Sequence, residues 1–323
     1  MRTVLVTGCA GFIGNKTVEL LLNDGVKVIG VDNIDDYYDI RLKEFRLNQL
    51  LSDENFIFKK FSIVDYNSLS AILSEHRIDA VINLAARAGV RYSIENPYIY
   101  FATNVNGLLS ILELMKQYNV KKLVQASSSS VYAGEKMPYI ETMSVNKPIS
   151  PYASSKKASE NLCYTYHKLY GLDISVLRYF TVYGPLGRPD MSPFRFLRWI
   201  DEGKPITLYG DGSQARDFTY IDDIAKGTIK ALKPLSYEII NLGGGNNPYP
   251  INYMIKQFEK LLDKKAIIDN KPFQKSDMKT TWADITKAKG ILDWQPTVSF
   301  DDGLRKMVDW YVENRNWVKD IKL

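Results

Sequence analysis

Cysteine and histidine are scarce: Cys9, Cys163, His76 and His167 are the whole complement among 323 residues. So few provide neither a disulfide framework nor a cluster with metal-ligand spacing, and no metal is expected. No apolar run is long enough to span a bilayer, and the opening "RTVLVTG" is a β-branched run ending in a glycine turn, unlike a leader peptide. A strong charge bias is missing as well. The net charge is only +5, and Lys and Arg alternate with Asp and Glu in stretches such as "RLKEFRLNQLLSDE", which marks solvated helix faces and excludes a nucleic-acid stripe. Internal repeats and low-complexity tracts are absent too. What remains is a chain of ordinary globular composition, 45% apolar and 24% charged, expected to work in a reducing, cytoplasmic setting without membrane or nucleic acid.

Apolar, β-rich runs at 3–8, 26–32, 55–61, 79–85, 122–128 and 173–180 alternate with helix-period segments around 12–24, 39–51, 66–76, 99–118 and 153–170. Continuous apolar strands alternating with helices predict an α/β fold, a doubly wound parallel sheet of the Rossmann type. After Phe180 the rhythm breaks at "TVYGPLGRPDMSPF", and the later elements are shorter. The expected division is residues 1–180 for a dinucleotide-binding domain and 181–323 for a smaller substrate-binding lobe. Segments around 214–242, "DFTYIDD" and "EIINLG" among them, are expected to return to the first domain.

Gly8, Gly11 and Gly14 follow the first strand and open the first helix, with Phe12 and Ile13 between the last two. Glycines at these places permit a tight turn and a close backbone approach, so that helix N–H groups can face a pyrophosphate. Asp32, with Asn33 after it, closes the second strand. An acid there accepts hydrogen bonds from both ribose hydroxyls and repels a 2′-phosphate, so NAD is the expected cofactor. A second glycine-rich stretch, "GGGNNP" (243–248), lacks this spacing and reads as a plain loop.

Tyr152 and Lys156 stand four residues apart on one helix face in "SPYASSKKASENL". An ordinary tyrosine, with a pKa of about 10, is a poor base at neutral pH. A neighbouring ammonium and a cationic nicotinamide both favour phenolate; a shift of about 3 units requires roughly 4 kcal/mol. Such a phenol can take a proton from a sugar hydroxyl while a nicotinamide takes hydride from the same carbon. The pair gains weight from "QASSSSVYAG" (125–134), where Ser128 ends the fifth strand at the edge at which such sheets bind ligands.

Gly8 to Gly14, Asp32-Asn33, the Ser128 strand end and Tyr152/Lys156 together resemble the extended short-chain dehydrogenase/reductases that act on nucleotide sugars. Within that group, "DDYYDIRLKEFRL", "AGVRYSIENP", "RYFTVYGPLGRPDM" and "GDGSQARDFTYIDD" look most like UDP-glucuronate 4-epimerases. The resemblance implies that NAD removes and returns the hydride at carbon 4 of a UDP-sugar, most simply UDP-glucuronate becoming UDP-galacturonate through a 4-keto sugar. It implies cofactor contacts from Ser62, Ile63, Leu84, Ala85, Ala86 and Asn104, with Lys156 on the nicotinamide ribose and Tyr179 walling the ring. It also implies substrate contacts from Arg91, Ser128, Ser129, Ser130, Thr181, Tyr209, Arg216 and Asp277, and a homodimer formed by the helices around 99–118 and 153–170. Once carbon 4 is a ketone, the uronate is a β-keto acid that can lose carbon dioxide. Arg188 in "GPLGRPDM" suits a charge-assisted, bidentate grip on its carboxylate, with the serines at 127–130 completing the enclosure.

Departures from the family pattern are Phe61-Ser62 where Gly-Asp is usual, Asn83 where histidine is common, and Ala133 for a glycine. Ser62 is then expected to hold the adenine amino group more weakly than a carboxylate. Among alternatives, a 4,6-dehydratase would carry an Asp-Glu pair at 129 and 130, and a UDP-glucuronate decarboxylase a Glu at 130; all are serine here. A UDP-glucose 4-epimerase shares the catalytic residues and differs chiefly at Arg188. A non-catalytic dinucleotide sensor would not need the Tyr–Lys pair.

Overall fold

The structure, a computed structural model, describes residues 2–245, 248–273 and 278–322. Its centre is a seven-stranded sheet in which every pairing is parallel. The strands are β1 (Thr3–Thr7), β2 (Lys27–Asp32), β3 (Phe56–Lys60), β4 (Ala80–Asn83), β5 (Lys122–Ser128), β6 (Asp173–Tyr179) and a late strand, Tyr237–Leu242. Their order across the sheet runs from Tyr237–Leu242 through β6, β5, β4, β1 and β2 to β3. Val4, Val6, Val28, Ile29, Val81, Ile82, Leu123 and Val124 are fully buried, because helices cover both faces. Each such side chain contributes about 1.5–3 kcal/mol relative to exposure.

The strand order reverses between β1 and β4, and the loops leaving their carboxyl ends diverge to open a crevice there. The two loops touch at its base: a Cβ on Gly8, whose φ is +71°, would lie 2.7 Å from the backbone nitrogen of Ala85. Only glycine fits such a left-handed, crowded position.

Tyr237–Leu242 returns to the main sheet alongside β6. Phe218–Tyr220 does not; it pairs with Thr181–Tyr183 in a separate two-stranded sheet. The expected 99–118 helix is interrupted. It comprises Pro97–Phe101, a π-helical turn at Ala102–Asn106, and Gly107–Gln117. The second large helix, Pro151–Tyr170, begins with Pro151 at its first position and is capped by Ser150, whose side chain accepts from the Ala153 N–H at 3.2 Å.

The later chain packs its own core. Phe194, Leu197 and Ile200 from the helix Ser192–Glu202 meet Met254 and Phe258 from Ile251–Leu262, and Leu304, Met307 and Tyr311 from Phe300–Glu313. Phe12, Ile13 and Tyr38 from the sheet-bearing part lean against that core, so the crevice is walled from both sides.

Candidate active site

A cavity of about 640 Å³ follows the crevice from the glycine loop to Arg188. At one end lies the amino end of α1 (Phe12–Asn23). Gly11 caps it without a side chain, and its first turn holds no acidic residue; Gly11, Phe12, Ile13 and Gly14 line the wall. A Cβ on Gly14 would come within 2.0 Å of the Gly8 carbonyl oxygen. Unmet helix N–H groups in such a cradle fit a pyrophosphate. Asp32 sits beside them, and its two oxygens accept the N–H groups of Ala10 at 3.1 Å and Ile34 at 2.9 Å. These bonds use only part of its acceptor capacity, which leaves lone pairs for ribose hydroxyls. Asn33, Ser62, Ile63, Leu84, Ala85 and Ala86 continue the wall. The cradle, the acid and the uncapped helix together fit NAD.

At the middle of the cavity are Ser128, Ser129, Ser130, Tyr152, Lys156, Tyr179 and Thr181. The Ser128 side chain is close enough to Tyr152 to favour its ionised form, and Ser128 Oγ accepts the Ser130 N–H at 3.1 Å. Of the neighbouring cations, Arg188 acts to depress the phenol within the protein itself. Burial pushes the Tyr152 pKa up, and the neighbouring Ser128 hydroxyl and Arg188 charge only partly oppose this. Lys156, one turn on along the same helix, donates from Nζ to the Ala126 carbonyl at 3.0 Å. Burial also pushes the Lys156 pKa down, to about 8, with the charge of Glu160 pulling the other way.

The same helix face carries Glu160 one turn beyond Lys156. Its Oε1 accepts from Ser127 Oγ at 2.7 Å, and both its oxygens take Arg178 Nε and Nη2 at 2.8 Å. Arg178 goes on to Tyr132, and Tyr132 to Asn241. Ser127 is therefore committed to this network, although its residue also edges the cavity beside Ser128, Ser129 and Ser130. Tyr179 presents its ring to the cavity while its hydroxyl, 2.8 Å from Thr228 Oγ1, points into the core.

Arg188 closes the far end. Asp190 holds it from Nε and Nη2 at 3.0 and 2.6 Å. Tyr37 lies between two guanidinium groups, with Arg188 at 5.6 Å and Arg87 at 5.5 Å from its ring centre, and Arg87 is paired with Asp35. Tyr100 stacks edge-on with Tyr152 at 6.0 Å and donates to the Gly89 carbonyl at 2.9 Å. Gly89, at φ +119°, leaves room for this convergence: a Cβ there would meet the Tyr37 hydroxyl at 2.9 Å.

Four of the expected contacts stand apart from the cavity wall. Asn104 braces it from behind, accepting the Arg87 N–H at 2.8 Å and donating to Ser155 Oγ at 2.9 Å. Arg91 lies over the Tyr209 ring at 4.6 Å. Arg216 Nη1 donates to the carbonyls of Ala215 and Lys279. Asp277, and the Asn246-Asn247 part of the "GGGNNP" loop, lie outside the described residues. The structure adds Tyr37, Arg87, Tyr100, Glu160 and Asp190, whose pairings cross between distant segments. It also adds Arg195, next to Arg91 and Tyr209 in its electrostatic surroundings, with a buried Nε that has no partner among the described residues.

Comparison with known proteins bears on this site. Residues 5–307 match the family described as GDP-mannose 4,6 dehydratase. A curated UDP-glucuronate 4-epimerase of Thermodesulfobacterium geofontis is 58% identical over the full length of both chains. A Bacillus cereus UDP-glucuronic acid 4-epimerase, solved with UDP-glucuronic acid and NAD, is 37% identical with a TM-score of 0.91, covering 97% of this chain and all of that one. A Thermotoga maritima UDP-glucose 4-epimerase solved with UDP-glucose is 32% identical with a TM-score of 0.88, over 97% of this chain and 100% of that one.

Proposed function

The chain belongs to the nucleotide-sugar branch of the extended short-chain dehydrogenase/reductases, and from that premise we propose that it catalyses the NAD-dependent 4-epimerisation of UDP-glucuronate to UDP-galacturonate. The observation that carries this reading is the joining of the Ser128–Tyr152–Lys156 group and Arg188 along one cavity whose other end fits NAD.

Bound NAD supplies a hydride acceptor and donor at carbon 4 and a positive charge beside the phenol. Gly8, Gly11 and Gly14 with the amino end of α1 hold its pyrophosphate, and Asp32 its ribose. Tyr152 takes the proton of the 4-hydroxyl as the carbon is oxidised and gives it back after the keto sugar has turned over. Ser128, on the same cavity wall as Tyr152, holds the reacting oxygen and relays that proton. Lys156, fixed on the Ala126 carbonyl at the base of the site, adds the local positive potential that favours phenolate. Ser129, Ser130 and Thr181 offer hydroxyls to the sugar, and Arg188 opposes the charge of the uronate carboxylate.

The diphosphate is assigned to Arg91, Arg195 and Arg216 with Tyr209, outside the catalytic cavity. On this reading residues 1–180 with Tyr237–Leu242 bind the cofactor, and the remainder holds the nucleotide. No helix of the described residues is long and apolar enough to cross a membrane. Phe101, Leu109, Tyr164, Leu169 and Tyr170 leave large apolar side chains exposed on the helices expected to pair in a homodimer, which supports two-fold assembly. A cytoplasmic setting agrees with two free, buried cysteines.

Dehydration is disfavoured by Ser129 and Ser130, since neither hydroxyl can act as the acid–base pair it needs. UDP-glucose 4-epimerisation is the second reading, favoured by the likeness to the Thermotoga maritima enzyme solved with UDP-glucose. Incubation with UDP-glucuronate and, in parallel, UDP-glucose decides between them, with UDP-galacturonate and UDP-pentose resolved by chromatography. UDP-galacturonate is the expected product. Turnover of UDP-glucose alone ends the uronate reading.

A further inference from the structure

The grip assigned to Arg188 is already engaged along one side. Nε and Nη2 donate to the two oxygens of Asp190, and Nη2 also donates to the Ala88 carbonyl at 3.3 Å. Arg188 forms part of the cavity wall whereas Asp190 does not, so the carboxylate holds the guanidinium from outside. The Nη1 group makes no hydrogen bond to protein among the described residues. A guanidinium has five N–H donors in a rigid fork. With its Nε–Nη2 edge occupied and its face against Tyr37, it cannot swing to receive a second carboxylate side-on at that edge. This departs from the free, bidentate grip expected from the sequence.

We propose that Asp190 is the positioning residue that determines carboxylate selectivity: it reserves the Nε–Nη2 edge of Arg188 and confines the uronate carboxylate to the Nη1 side. The inference rests on the 4-epimerase reading and goes further, to the fate of the keto intermediate. Loss of carbon dioxide breaks the C5–C6 bond; its electron pair passes to the C4 carbonyl oxygen as an enolate, which then takes a proton. The breaking bond must align with the carbonyl π system. A carboxylate held at one fixed place keeps that bond out of alignment, and an arginine freed from Asp190 would not. Asp190 also neutralises the arginine when an uncharged hexose or no sugar is present, so selectivity arises from geometry as well as from charge.

The test uses the near-isosteric, neutral Asp190→Asn in the full-length holoenzyme, with UDP-glucuronate labelled at carbon 6. Two quantities are read: labelled carbon dioxide released per epimerisation, and the ratio of affinities for UDP-glucuronate and UDP-glucose by calorimetry. Losing a charged hydrogen-bond partner is expected to lower that affinity ratio about tenfold and to raise the carbon dioxide partition by a similar factor. A residue that merely stiffens the loop would alter both sugars' affinities alike and leave the partition where it was; that result overturns the proposal. Asp190→Glu, which keeps the charge but moves it by one methylene, is expected to fall between the wild type and Asp190→Asn, and serves alone if the amide variant does not fold. A wild-type enzyme inert towards UDP-glucuronate would instead overturn the reading on which the proposal rests.

Discussion

The two ends of the sugar-binding part of the cavity are built on different principles. Tyr152, Lys156 and Glu160 project from one face of a 20-residue helix onto the end of β5, and the Glu160–Arg178 pair beneath them is 1% exposed on both sides. Around Arg188 the parts come from the 33–38 and 84–90 loops, a short helix and the 184–191 segment, and the Arg188–Asp190 pair is 19% and 30% exposed. Regular elements hold the reacting atoms because their positions tolerate little error. Loops shape the wall that chooses among sugars, where sequence can vary without disturbing the core.

The largest expected effect lies at the helix end. Tyr152→Phe removes the proton carrier and should lower kcat by about 10³-fold while UDP-sugar binding persists; a loss below tenfold in a steady-state assay would take Tyr152 out of the mechanism.

The second test makes the same chemical change at both ends. Glu160→Gln leaves Arg178 buried opposite a neutral amide and should destabilise the protein by about 3–5 kcal/mol. Asp190→Asn, in its more exposed pair, should cost less than about 1 kcal/mol. Urea unfolding of the two variants side by side measures the difference; equal shifts would erase the contrast between the ends.

A third test concerns protons. Lys156 holds its proton with a pKa of about 8 in the folded protein, below the unfolded value of about 10.4. Between these values the unfolded chain binds more protons, so stability rises as pH increases through this window, by about 3 kcal/mol in all. Lys156→Met should lack this rise in cofactor-free protein, and parallel pH–stability curves for the two would show that Lys156 is not held as a strained charge.

Much of the helix end was legible in the sequence. Strand–helix alternation predicted six of the sheet's strands, and the spacing of Tyr152 and Lys156 placed them on one face with Ser128 opposite. The extent to which burial raises the phenol was not legible, because desolvation is set only by the finished packing. Nor did periodicity show the π-helical turn at Ala102–Asn106, where the carboxamide of Asn104 turns to the Arg87 backbone. The far end was harder still. Arg188 stood out through its motif, but its partners Tyr37, Ala88 and Asp190 include residues 151 and 100 positions away, and no local pattern encodes such meetings.

The sheet's outermost strand, Tyr237–Leu242, has a consequence for how the molecule comes into being. During synthesis β6 is complete well before its neighbour has left the ribosome, and its unsatisfied edge, with Ile174, Val176 and Leu177 all wholly buried in the finished protein, must wait for nearly sixty more residues. A nascent chain halted near residue 180 would therefore expose a sticky, hydrogen-bond-hungry border, which makes the tail of this protein a guardian of its head.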